Sequence, residues 1–216
     1  MSLITVKFVL PTLKLNENIA IIGSSGSLLD VSLGKEIDSF TEVVRFNRAI
    51  TCDYEEFVGS KTTLRVVNRH VALNKNLHSP EVHKEMVKNG LWLGQPSNFI
   101  KNLRDTKIMQ YGASFTEEEI EENIHKSNDF FNFKYNALDT LNYIVNEKRF
   151  SVGVGFIKLC VYSGLVPHIY GFDLKNADRS HYWEKRSGPG DCHNVSAEQK
   201  MLQSLIKNKQ VIYHDR

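Results

Sequence analysis

The stretch "IAIIGSSGSLLD" (Ile19–Asp30) decides the fold. Its first four residues are apolar, three of them β-branched, and they end at Gly23. A run this short, bounded by glycine, reads as a buried strand. The Gly/Ser segment behind it suits a tight loop. Glycines let the backbone come close to a ligand, and the N–H groups of such a loop attract phosphate. The pattern is not G-x-G-x-x-G and has no P-loop lysine. A phosphate-binding turn and a plain strand-to-helix turn therefore stand side by side at this point.

Working outward, "EVVRFN", "TLRVVN", "GLWLG", "TKIMQYG", "VPHIYGFD" and "KQVIYH" repeat the form of the first run. They make roughly seven candidate strands. Helical patterns lie between them. "SPEVHKEMVKNG" has Ser79 as N-cap, Pro80 at the first helical position and Gly90 as stop. "SFTEEEIEENIHK" has Thr116 as N-cap and acidic residues in its first turn. "DFFNFKYNALDTLNYIVNEKR" (129–149) spaces its apolar residues as a helix does, and "VGFIKLCVYSG" is almost wholly apolar. Strands alternating with helices predict an α/β fold, a mostly parallel sheet with helices on both faces. In such sheets ligands gather at the carboxyl ends of strands. That directs attention to "IIGSSGSL", "VVRFNRA" and "IYGFD".

The 216 residues, 41% of them hydrophobic, suit one well-buried domain over 1–216. A net charge of +2 is too balanced for nucleic-acid binding as the main task. No apolar run approaches the roughly 20 residues of a membrane span. The opening "MSLITVKFVLPTLKL" lacks the features of a signal peptide. Cys52, Cys160 and Cys192 form no C-x-x-C pair, and an odd count suits a reducing compartment. The expected setting is cytoplasmic, where the Asn194-Val195-Ser196 sequon goes unread.

Several residues at these strand ends and loops could carry chemistry. Asn47, flanked by Arg45 and Arg48, could hydrogen-bond a nucleotide ribose or phosphate, or the arginines could serve only structure. "RSHYWEK" gathers His181, Tyr182, Trp183 and Glu184 in one loop, as a site or as a packed corner. Asp178, His181, Cys192 and His193 match no standard zinc-ligand spacing. "CHNVSAEQ" reads as a helix start, capped by Asn194 or Ser196, with His193 just ahead of it and Glu198 inside.

Taken in order, these pieces resemble the sialyltransferases of glycosyltransferase family 29. Residues Ile19 to Thr51, with the Gly/Ser turn, "GKEID" and "VVRFNRA", are similar to the family's large sialylmotif, and "FVGSKTT" continues the likeness. "SVGVGFIKLCVYSGLVPHIYGFD" (Ser151 to Asp173) resembles the small motif, "HYWE" the third, and His193 with Glu198 the very small motif H-x-x-x-x-E. The likeness covers about half the chain; residues 65–149 show none. Departures are specific. The family's bridging cysteines fall at Ile19 and Gly164, its usual asparagines at Ser24 and Ser27, and its Ser-Thr-Gly reads Ser151-Val152-Gly153. No membrane anchor or stem like those of the animal enzymes is expected.

The resemblance implies a Rossmann-like sheet of the modified GT-A type and an inverting transfer of sialic acid from CMP-Neu5Ac to a glycan or glycolipid hydroxyl. No metal and no cofactor are expected, the CMP-sugar being a co-substrate. His193 is implied as general base and His181 as the group on the departing phosphate. Ser24, Gly26, Ser27 and Asn47 are implied to hold phosphate and ribose. The helix start at Ser151 and Gly153 would face the phosphate or the sugar carboxylate, and Gly171 and Phe172 would line the cytidine. Tyr182 and Trp183 are expected to pack the loop, and Glu198 to orient backbone. CMP-Kdo is the rival donor. A CMP-sugar-binding module without transfer is a rival of another class, and a dinucleotide oxidoreductase is a more distant one. Acceptor, linkage and oligomeric state are left open.

Overall fold

A computed structural model of the chain describes residues 15–68, 107–112, 130–134, 144–145, 148–174, 181–183 and 195–214. Among these, seven strands form one sheet in the order β5-β4-β3-β2-β1-β8-β9. They are β1 (Ile19–Ile22), β2 (Glu42–Phe46), β3 (Leu64–Val67), β4 (Lys107–Gly112), β5 (Phe130–Lys134), β8 (His168–Tyr170) and β9 (Ile212–His214), and every pairing is parallel. A separate antiparallel pair joins β6 (Ile144–Val145) to β7 (Lys148–Arg149). The described helices are α1 (Gly34–Asp38), α2 (Glu55–Val58), α3 (Val152–Tyr162) and α4 (Val195–Lys207), with a 3-10 turn at Gly26–Asp30. None is long and apolar enough to cross a membrane.

β1 is central and all four of its residues are buried, as expected of a strand covered on both faces. Alternation then sorts its side chains. Ile19 and Ile21 join Val154, Phe156 and Ile157 of α3 and Leu202 of α4 in one core. Ala20 and Ile22 join Ile37, Phe40 and Val58 in the other. The handedness of parallel crossovers explains the split. The chain leaves β1 toward β2 on one side and passes from β8 to β9 on the other. Right-handed connections running in opposite directions place α1 and α4 on opposite faces. The reversal of strand order therefore falls between β1 and β8.

That junction is built from backbone. Gly23 N–H donates to the Tyr170 carbonyl at 2.7 Å, and Ser25 N–H to the Gly171 carbonyl at 3.1 Å. A Cβ on Gly23 would lie 2.2 Å from the Gly171 oxygen. Gly171 turns at φ +65°, and a Cβ there would lie 2.5 Å from Leu28 Cδ1. No larger residue fits either position without moving the two loops apart. α3 ends in a Schellman motif, Leu165 N–H on the Cys160 carbonyl and Gly164 N–H on that of Val161, both 3.0 Å. Cys52 and Cys160 are both unbridged, the former exposed and the latter buried.

One stretch differs from its sequence pattern. Residues 129–149 read as a helix, but the chain there forms β5, β6 and β7. "FFNFK" is rich in aromatics, which favour strands, and β4 offers it a parallel edge from Ile108 to Gly112. Tertiary pairing outweighs the helical spacing. The patterns at "GLWLG", "SPEVHKEMVKNG" and "SFTEEEIEENIHK" lie outside the described residues.

On the face of β8 and β9 toward α1, His168 Nδ1 and His214 Nε2 are 2.9 Å apart. His214 Nδ1 lies 3.3 Å from Glu36 Oε1, which also accepts from the Tyr170 hydroxyl at 2.8 Å. Burial holds the His168 pKa below its ordinary value, with Glu36 pulling the other way. The folded chain therefore binds fewer protons here than the unfolded chain does. The resulting stability is present above about pH 6.5 and is lost as pH falls through the depressed folded value. Urea midpoints should fall between neutral pH and about pH 5, and His168→Gln should flatten part of that slope. An unchanged slope in the variant would exclude His168 as its source.

Candidate active site

The switch point between β1 and β8 collects most of the residues singled out in the sequence. In the loop after β1, Ser25 caps the 3-10 turn. Its Oγ accepts the Ser27 N–H at 3.1 Å and lies 2.8 Å from Ser27 Oγ. Ser27 Oγ donates to Asp173 Oδ1 at 3.2 Å, across to the loop after β8. The Ser24 carbonyl accepts the Tyr182 N–H at 2.8 Å. Gly26 is buried inside the turn.

Asn47 follows β2 in the left-handed region at φ +46°, a conformation asparagine tolerates better than most residues. Its N–H donates to the Val66 carbonyl at 2.9 Å. Its Oδ1 accepts the Asn68 N–H at 3.0 Å, and its carbonyl accepts from Arg65 at 3.0 Å. Among the described residues the carboxamide nitrogen is uncommitted, leaving two donors at a strand's carboxyl end.

Of the two readings of the neighbouring arginine, the structural one holds. Arg45 is fully buried. Its Nη2 donates to the carbonyls of Val58 (2.6 Å) and Gly59 (3.1 Å), and its Nε to the Lys61 carbonyl and Thr62 Oγ1. Burial lowers its pKa, against the pull of Tyr182 and Asp38. Its register partner Arg65 falls to about 9, through burial first and then the charge of Arg45. At that value Arg65 stays charged at neutral pH. The two arginines tie the segments after β2 and α2 beneath the site.

The loop carrying His181 is pinned to this frame. Tyr182 and Trp183 are buried, as a packed corner requires. The Tyr182 hydroxyl donates to the Ile50 carbonyl. Its pKa is pushed up to about 12, by burial against the opposing pull of Arg45 and Arg65. The His181 ring stacks on Trp183 with centroids 4.7 Å apart. The Tyr182–Ser24 bond thus brings His181 to the edge of the Gly/Ser turn. Its partner in the sequence reading, His193, lies outside the described residues.

Ser151 is the N-cap of α3, its Oγ accepting the Val154 N–H at 3.4 Å. Glu198 holds it from the first turn of α4. One carboxylate oxygen accepts the Ser151 N–H at 2.5 Å and the other accepts its hydroxyl at 3.0 Å. The amide of Ser151 is therefore committed to Glu198. The amides ahead of the cap bond in the first turn are those of Val152 and Gly153. Ser196 lies inside α4 and so does not cap it. Gly153 faces two rings: a Cβ there would lie 3.0 Å from Phe172 and 3.4 Å from Phe46. Those rings meet edge to face at 6.3 Å, and the Phe172 carbonyl accepts from the Tyr213 hydroxyl at 3.1 Å.

Ser25 and Asp173 escaped the sequence reading. Ser25 carried no signal apart from its neighbours. Asp173, at the end of "IYGFD", needed the β1–β8 pairing to bring it to Ser27.

A strand-end turn of hydroxyls and amides, an asparagine after the next strand and a histidine loop docked on the turn sit at the switch point of a Rossmann-like sheet. The model for Glycosyltransferase family 29 (sialyltransferase) matches residues 14–210, and the chain belongs to that family. Among curated relatives, β-galactoside α-2,6-sialyltransferase 2 of Xenopus tropicalis is 51% identical over 59 residues, 27% of this chain and 11% of that protein. The Gallus gallus protein of the same name is 38% identical over 94 residues, 43% of this chain and 17% of that protein. The matched stretches thus span only a small part of these relatives. Among solved structures, a mammalian sialyltransferase in complex with Gal-β-1-3GalNAc-ortho-nitrophenol superposes with a TM-score of 0.58 at 17% identity, covering 91% of this chain and 68% of that one. The monofunctional α-2,3-sialyltransferase Cst-I of Campylobacter jejuni gives 0.54 at 16%, covering 94% and 78%. At these identities the likeness establishes the fold, the Rossmann-like sheet of GT-A type.

Proposed function

We propose that this chain is a sialyltransferase that moves sialic acid from CMP-Neu5Ac to an acceptor glycan hydroxyl, inverting the anomeric centre without a metal. The observation that supports it best is the convergence of the Ser24–Ser27 turn, Asn47 and the His181 loop at the β1–β8 switch point, where α/β sheets bind nucleotides. CMP leaves as a phosphate monoester, whose charge hydrogen-bond donors can stabilise. In this reading His181 donates to the departing phosphate, and His193 takes the proton of the attacking hydroxyl. The donor lies across the turn and Asn47, with its base toward Gly171 and Phe172.

The direct test is thermal unfolding with CMP in the presence of a chelator. A hundredfold excess over the dissociation constant should add about 2.7 kcal/mol. A shift that needs divalent cations, or no shift, would count against this reading. Donor hydrolysis with CMP-Neu5Ac and CMP-Kdo side by side then decides the sugar. Preferred turnover of CMP-Kdo would move the assignment to that donor, and binding of both without turnover to a non-catalytic module.

Asn47 separates local strain from ligand contact. Asn47→Ala should raise the donor KM more than it lowers kcat, since the lost bonds exist in ground and transition states alike. It should also cost about 1 kcal/mol of stability for a left-handed alanine. Asn47→Gly should recover the part due to backbone strain, without the Oδ1 bond to Asn68, and keep the high KM. If KM for donor is unchanged in both folded variants, the nucleotide is not held there.

A further inference from the structure

The loop after β8 is fixed just ahead of Asp173 by two carbonyl contacts. The Gly171 carbonyl is held by Ser25 N–H, and the Phe172 carbonyl by the Tyr213 hydroxyl. Asp173 itself reaches across the switch point to Ser27. The hydroxyl geometry gives this contact a direction. Ser27 spends its proton on the carboxylate, so its oxygen is the acceptor for Ser25 in their 2.8 Å contact. The chain runs Ser25 O–H to Ser27 O–H to Asp173 carboxylate. The β8 side of the crevice is thereby acceptor-rich and negative. Among the described residues, Oδ2 of Asp173 takes no hydrogen bond, and the side chain is half-buried.

A carboxylate at this place repels a phosphate and calls for neutral donors. The part of a nucleotide that presents adjacent donors is the ribose diol, which acidic groups near strand ends receive in doubly wound sheets. On the β2 side, the Asn47 carboxamide supplies donors suited to a phosphate, and the His181 loop docks on the Ser24 carbonyl. We propose that Asp173 is a specificity-determining residue that reads the ribose hydroxyls of the donor, with Ser27 holding its carboxylate in place. This orients the nucleotide with ribose toward β8 and phosphate toward β2 and the His181 loop. It rests on the switch point being the donor site.

The experiment is calorimetric titration of the wild type, Asp173→Ala, Asp173→Asn and Ser27→Ala with CMP, 2′-deoxy-CMP, 3′-deoxy-CMP and cytidine. The wild type should bind at least one deoxy analogue about tenfold more weakly than CMP, the scale of one hydrogen bond to a charged group. Asp173→Ala should weaken CMP and cytidine by a similar factor and lose the discrimination. A loss shared by cytidine belongs to the nucleoside half, because cytidine carries no phosphate. Asp173→Asn keeps the shape and an acceptor for Ser27, and should show a smaller loss in the same direction. Ser27→Ala should reduce the discrimination without reversing it. Where Asp173→Ala does not fold, the asparagine variant decides. Tighter CMP binding by an Asp173 variant would mean that the carboxylate faces the phosphate, and undiminished discrimination would mean that it serves structure alone. Either result overturns the proposal while leaving the donor site standing. A folded wild type that binds neither CMP nor cytidine overturns both.

Discussion

His193→Ala should keep its fold and its CMP affinity and lose transfer by roughly 10²–10⁴-fold, the scale of general-base catalysis. An imidazole with a pKa near ~6.5 is suited to accept the acceptor's proton at neutral pH. The kcat/KM profile of the wild type should therefore fall on its acidic side near that value, and the variant should lose that limb. His181→Ala gives the contrast. It should slow departure of CMP, so donor hydrolysis without acceptor falls as well. His193→Ala should hydrolyse donor with less impairment, because water needs the base less in a displacement with oxocarbenium character. A surface histidine that merely flanks α4 would leave every assay near wild type. Near-normal turnover by His193→Ala would end the assignment.

Glu198→Ala should be the most damaging change at the joint between α3 and α4. The carboxylate satisfies both the Ser151 N–H and its hydroxyl. Removing it leaves a part-buried amide and a helix cap without their charged partner. The expected loss is about 2–3 kcal/mol of stability. Transfer should fall with it, because the joint fixes the first turn of α4, and Glu198 lies five residues after His193 in the sequence. Glu198→Gln keeps one acceptor for the amide and should restore most of the stability and most of kcat, with the wild-type pH profile. That pattern identifies a positioning residue. A glutamine variant as inactive as the alanine variant, yet fully stable, would instead assign Glu198 to the chemistry.

The same joint shows where local pattern stops being informative. The resemblance implies Ser151 as a helix start and Glu198 as an orienting carboxylate, each taken separately. Their partnership joins residues 47 positions apart, and no spacing rule contains it. Arg45 is similar. Its four acceptors lie at Val58, Gly59, Lys61 and Thr62, and only burial between β2 and α2 turns an ambiguous arginine into a staple. Asp173 becomes conspicuous once the β1–β8 pairing sets it against Ser27.

The sequence by itself determined what is written in short-range periodicity. The short runs rich in β-branched and aromatic residues become β1, β2, β3, β8 and β9, and β1, covered on both faces, is apolar at every position. The run from Val154 becomes the body of α3, stopped where Gly164 leaves the helix at φ +85°. Together with the ordered motifs, these runs carry the fold class and the family. The tertiary structure alone decided the strands β5, β6 and β7 within 129–149. Their apolar spacing suits a helix, but an aromatic-rich segment beside an open strand edge gains a full ladder of backbone hydrogen bonds by pairing with β4. It also decided which hydroxyl meets which carboxylate at the switch point. Those contacts arise from the order in which strands lie side by side, and a chain's neighbours in space are fixed by the packing of its whole sheet.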